Sequence, residues 1–121
     1  MGGVSADPVV SAVLNAVGKR YLVEKGSEDD GSEWEVYSDG FCVQRGIRPV
    51  VSQRQYTITL PKPYRDANYF IMAVKCDPER DGSAWIGTGI KTTTSFSFRQ
   101  ELANGQADNG EGNWITYGYI A

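Results

Sequence analysis

Glu33-Trp34-Glu35-Val36-Tyr37-Ser38-Asp39-Gly40-Phe41-Cys42-Val43 is the stretch that decides the fold. Trp34 and Val36 alternate with Glu33 and Glu35, a period of two that sends one set of side chains to a core and the other to water. Asp39-Gly40 can then supply the positive φ angles of a tight hairpin turn, after which an apolar strand returns. The stretch predicts two antiparallel strands, Glu33 to Tyr37 and Phe41 to Arg45.

The same period extends outward. β-branched and aromatic residues bounded by Gly, Pro, Asn and Asp mark further strands at Arg20 to Glu24, Gln55 to Leu60, Tyr69 to Lys75, Trp85 to Ile90, Ser95 to Arg99 and Trp114 to Ile120. Phe96 and Phe98 alternate with Ser95, Ser97 and Arg99, again one face to the core and one to water. Tyr69 to Val74 is an unbroken apolar run, which predicts a strand buried on both faces, central in the domain or sealed by another subunit. Eight strands in about a hundred residues predict an all-β fold, a sandwich or a barrel.

Before Lys19 the pattern is helical. Asp7 and Pro8 give a capping carboxylate and a proline at the first helical position, and Gly18 gives the stop. Val10, Val13, Leu14 and Val17 form one apolar stripe on a helix too short to persist alone. Its partner is either the domain's own core or the same helix in neighbouring subunits, where Val10, Val13 and Val17 suit a coiled-coil seam. The expected organisation is a leader over residues 1–18 and a sandwich over 19–121. With 121 residues the chain has room for one core.

Composition narrows the function. A net charge of −3 leaves no basic surplus for phosphates, so no nucleic-acid partner is expected. No apolar run reaches the roughly 18 residues of a membrane span, and the amino terminus lacks the order of a signal peptide, so neither membrane insertion nor export through a signal peptide is expected. The chain has no histidine, which removes the commonest general base and transition-metal ligand. Cys42 and Cys76 read as buried free thiols and cannot make a four-ligand zinc site. Gly87-Thr88-Gly89 lacks both the third glycine and the βαβ unit of a dinucleotide loop and reads as a strand irregularity. Carboxylate pairs such as Asp77 with Asp81, or Glu33 with Glu35, lie in a solvated loop or on a polar strand face, and turn chemistry explains the oxygen-rich loops better than calcium does. No catalytic residue, metal or cofactor is expected.

Binding of a sugar without hydrolysis needs less: an aromatic platform flanked by Asp, Asn or Arg. Trp85 and Trp114 adjoin the polar loops Asp77 to Ser83 and Asn104 to Asn113, which supply Arg80, Asp81, Asp108, Asn109 and Asn113. These seven residues are the candidate binding set, although each tryptophan also begins a strand, and large aromatics in small β domains are usually core.

Three segments resemble, in order, the carboxy-terminal domains of bacteriophage and prophage tail fibres. EWEVYSDGFCVQRG, Glu33 to Gly46, is similar to an aromatic strand, Ser-Asp-Gly turn and second strand ending in Gln and Gly. TITLPKPYRDANYFIMAV, Thr57 to Val74, resembles the family's strand, Leu-Pro-x-Pro-aromatic bend and apolar strand, and NWITYGYIA, Asn113 to Ala121, resembles its closing strand. Arg45 stands where a second glycine is usual, and the Gly46 to Gln53 connection is longer and more basic than the pattern. The resemblance implies a compact antiparallel β-sandwich at a receptor-binding fibre tip, commonly a homotrimer, attached to the rest of the tail fibre. It would be made in the host cytoplasm, be carried on the virion and contact a bacterial surface glycan or an outer-membrane protein. A stand-alone lectin-like module and a purely structural trimerising cap are the rival roles. The family offers no matched binding residues.

Overall fold

The structure is a computed structural model, and it describes residues 8–10, 19–49, 54–75, 82–102 and 111–121. Within them the chain forms eight strands: β1 Leu22–Ser27, β2 Glu33–Tyr37, β3 Phe41–Arg48, β4 Gln55–Thr59, β5 Phe70–Lys75, β6 Gly82–Lys91, β7 Ser95–Leu102 and β8 Gly112–Tyr119. Every expected strand is present. β1, β2, β3, β8 and β5 make one sheet in that order, and β4, β7 and β6 make a second, all pairs antiparallel. Residues 8–10 are helical, as the leader reading requires, while the rest of that expected helix, residues 11–17, lies outside the described residues.

The core sits between the sheets. Val36, Cys42 and Trp114 from the larger sheet meet Ile58, Phe96 and Phe98 from the smaller one. Phe96 and Trp114 touch edge to face across the gap, with ring centroids 5.5 Å apart. Leu60, Tyr64 and Tyr69 close the sandwich from the bend between β4 and β5. Tyr64 and Tyr69 stack at 4.4 Å, the Tyr64 hydroxyl lies 2.8 Å from Thr116 Oγ1, and the Tyr69 hydroxyl donates to the carbonyls of Thr92 and Ser95. Each buried phenol thus keeps a polar partner while its ring fills the core. Cys42 is fully buried with a free thiol, and that burial pushes the thiol up to about 11, leaving it inert.

Four local expectations need correction. The hairpin after β2 does not put Asp39 at positive φ: only Gly40 is there, at φ 88°, with its N–H donating to the Tyr37 carbonyl. This is a turn followed by a left-handed glycine, and Asp39 instead uses its carboxylate to accept from the Phe41 N–H. β3 runs on to Arg48, so the first part of the basic connection is strand. Ser97 is fully buried, because β7 is the central strand of its sheet and a small side chain there is shut in by its neighbours.

The fourth correction concerns Tyr69 to Val74. β5 is an edge strand whose residues alternate: Tyr69 is buried and Ile71 and Ala73 half-buried, whereas Phe70, Met72 and Val74 are 62 %, 58 % and 58 % exposed. In the single chain the run is not buried on both faces. Its outward half is apolar surface on an edge, which a soluble protein normally covers or breaks with charge.

The irregularity at Gly87-Thr88-Gly89 is real, since the β6–β7 register shifts between Ile86 and Lys91. Among the described residues no helix is long and apolar enough to cross a membrane, and no group of His, Cys, Asp and Glu could hold a metal ion.

Candidate functional site

The strand ends give the domain two unlike ends. Arg20 and Tyr21, the Ser38–Gly40 turn, the bend before β5, the Thr92–Thr94 turn and Ala121 share one of them, as the bonds Ser38 N–H to Tyr21 O, Arg65 N–H to Tyr119 O, Leu60 N–H to Thr94 O and Ile120 N–H to Gly40 O show. Lys75, Gly82, Leu102 and Gly112 lie at the other, where Lys75 and Arg48 both pair with Gly112 and Gly82 pairs with Leu102. The chain between these strand ends includes both loops singled out in the sequence. The described strand ends that flank both loops therefore lie at one end of the sandwich, away from the end where Arg20 leads into β1.

Arg80, Asp81, Asp108 and Asn109 lie outside the described residues. Trp85 is in β6, its backbone opposite Arg99, and the role given to its ring falls outside the described side chains. Asn113 is exposed on β8, flanked by Ile47 and Val74 on the neighbouring strands. Trp114 is 4 % exposed, so its indole is core and offers no open platform. Of the seven candidates, the described residues leave Asn113 positioned for contact at the loop end.

A surface the sequence reading missed is the outer face of the five-stranded sheet. Val43, Tyr117 and Phe70 line up across β3, β8 and β5, with Arg45, Ile115 and Met72 in the next row and Ile47, Asn113 and Val74 beyond it. Met72, Val74, Ile47 and Ile115 border a shallow trough of about 550 Å³. On its far side charges pair among themselves: Arg45 lies 3.0 Å from Glu33 and 3.7 Å from Glu35. These are exposed pairs of small individual value.

Towards the Arg20 end the same face is aromatic. Phe70 stacks on Tyr117 with centroids 5.1 Å apart, and Phe41 meets Tyr119 edge-on at 5.6 Å. Two guanidiniums lie over these rings, Arg20 at 4.2 Å from the Phe41 centroid and Arg65 at 5.1 Å from that of Tyr119. Arg20 also grips Asp39 at 2.7 Å, and that hydrogen bond holds the Asp39 carboxyl below the usual range. The signal for this cluster was present in Tyr117-Gly118-Tyr119, where alternation puts two tyrosines on one face and a glycine on the other.

No protein-family model and no curated protein matches the sequence. Solved structures do match, and the fold is similar to that of pyocin tail-fibre domains. The C-terminal part of the P. aeruginosa R2 pyocin fibre is 20 % identical with a TM-score of 0.58, over 97 % of this chain and 30 % of that one. An N-truncated R2-type pyocin tail fibre is 21 % identical at the same TM-score, over 97 % of this chain and 45 % of its own. An N-truncated R1-type fibre is 15 % identical, again at 0.58, over 98 % of this chain and 100 % of its own. The chain thus spans less than a third of the first of these proteins and less than half of the second. At such identities the likeness is one of fold, and it agrees with the tail-fibre resemblance of the three sequence segments.

Proposed function

We propose that this chain is a tail-fibre tip domain that attaches a virion or virion-like particle to a bacterial surface receptor, a polysaccharide or an outer-membrane protein. The observation that carries this reading is a fold shared across almost the entire chain with pyocin tail fibres. The role is binding without catalysis, in a particle assembled in the host cytoplasm.

The domain works as a homotrimer joined to the rest of the fibre. Support comes from the exposed Met72, Val74 and Ile47, an apolar strip that a neighbouring copy would cover. Linked copies also raise avidity by orders of magnitude, so weak contact at each loop suffices. The test is adsorption of the purified, labelled chain to a panel of bacterial strains alongside light scattering. Saturable binding by a trimer to some strains supports the reading; a monomer that binds free glycans favours a stand-alone lectin, and a trimer that binds no strain favours a structural cap.

A further inference from the structure

The outer sheet face changes character along its length, and the end nearest Arg20 has the makings of a site distinct from the loops. A depression of about 370 Å³ opens there between the bend before β5 and the last residues of β8. Its size falls in the range of small-molecule sites. One wall is Phe70, whose ring leans on Tyr117 and is otherwise largely open, and the other is Tyr119 beneath Arg65. Asp66 and Asn68 stand on the rim, both exposed.

From this arrangement we infer that the depression binds a neutral pyranose, as a site separate from the loop end. A pyranose has an apolar face of ring C–H groups that packs on an aromatic ring, and vicinal hydroxyls that each give and accept a hydrogen bond. Phe70 offers the first partner. The rim offers the second: the Asp66 carboxylate already accepts from the Asn68 N–H at 2.9 Å through one oxygen, and its other oxygen is 3.6 Å from Arg65 Nε, too far for a hydrogen bond. The Asn68 side-chain amide adds a donor and an acceptor next to it.

Charge selects the class of sugar. Arg65 sits beside Asp66 and Arg20 is held by Asp39, so both guanidiniums by the depression have a carboxylate neighbour. A phosphate or uronate would gain little there and would be repelled by Asp66. A neutral hexose meets no such penalty.

This inference rests on the attachment reading only for its biological use. It is tested by recording backbone amide shifts of the full chain with the methyl glycosides of glucose, galactose and mannose, up to about 50 mM because a single exposed site of this kind binds in the millimolar range. At least one should shift Asn68, Phe70, Tyr117 and Tyr119 together, and methyl glucuronide should bind no better than methyl glucoside. Phe70→Ala should weaken that binding about tenfold or more, as loss of an aromatic anchor does, while Phe70→Trp retains it. Absence of those shifts with all three sugars overturns the proposal, as does unchanged binding by Phe70→Ala. A Phe70→Ala chain that loses its oligomeric mass overturns it too, since the ring would then be a contact between copies. Cell adsorption separates the two readings: adsorption without sugar shifts sinks this site alone, and sugar shifts without adsorption sink the attachment role alone.

Discussion

The side-chain amide of Gln44 exchanges two hydrogen bonds with the backbone of Lys62: Nε2 donates to the Lys62 carbonyl at 2.9 Å, and the Lys62 N–H donates to Oε1 at 2.9 Å. Gln44 is fully buried on β3, so this pair ties the larger sheet to the Leu60–Tyr64 bend with no water to replace it. Gln44→Leu should destabilise the domain by about 1–2 kcal/mol, because two half-buried backbone groups of Lys62 lose their partners. A urea midpoint unchanged from wild type would show that the bend is held by its aromatics alone.

Gly46 of β3 lies opposite Trp114 of β8 and packs against its indole. A Cβ there would sit 2.6 Å from Trp114 Cζ2. Gly46→Ala should therefore cost about 1–3 kcal/mol, the usual range for overpacking. Denaturant unfolding followed by tryptophan fluorescence checks it.

Much of this was legible in the sequence, and the exceptions have physical causes. All eight strands were readable because period-two alternation and turn residues coincide in each. The face of β5 was not: Tyr-Phe-Ile-Met-Ala-Val reads the same for a central strand and for an edge strand with an apolar outer side. Gln44 and Arg48 share the inner face of β3 with Cys42, where type argues for water but period argues for core, and the period prevails. Trp114 had both readings open, and its burial follows from Gly46 leaving room over β3. The aromatic depression joins residues from β3, β8 and the bend, a juxtaposition that only topology creates.

Burial holds both core phenols neutral. It pushes the Tyr64 and Tyr69 hydroxyls from 10.0 up to about 12. A folded-state value raised above the unfolded one gives stability that is intact below pH 10 and lost as the pH climbs towards about 12. Thermal melts should thus be independent of this pair up to about pH 10 and fall beyond it, with tyrosinate absorbance for the pair appearing together with unfolding. Ionisation of all tyrosines near pH 10 in a still-folded chain would contradict the packing.

Met72 separates folding from assembly. It is exposed in the single chain, so Met72→Asp should leave secondary structure and the unfolding transition of the monomer intact. In the proposed trimer it places a carboxylate in an apolar contact and should weaken association by about thirtyfold or more. Light scattering across a dilution series decides it: a variant that assembles like wild type moves the contact off this strip.

Residues 1–18 offer a second handle on assembly. Their valine stripe needs a partner, and the proposed one is the same helix in neighbouring copies. Deleting them should lower the concentration stability of the oligomer while the sandwich still unfolds cooperatively. An equally stable oligomer would exclude the leader from the contact.

Attachment itself is most directly tested by adsorption of the chain to a susceptible strain after joint alanine replacement of Arg80, Asp81, Asp108 and Asn113. The account predicts that the fourfold variant stays within about 0.5 kcal/mol of wild-type stability, as surface changes usually do, and no longer adsorbs. Undiminished adsorption by a variant shown to be folded would contradict recognition by the loop end.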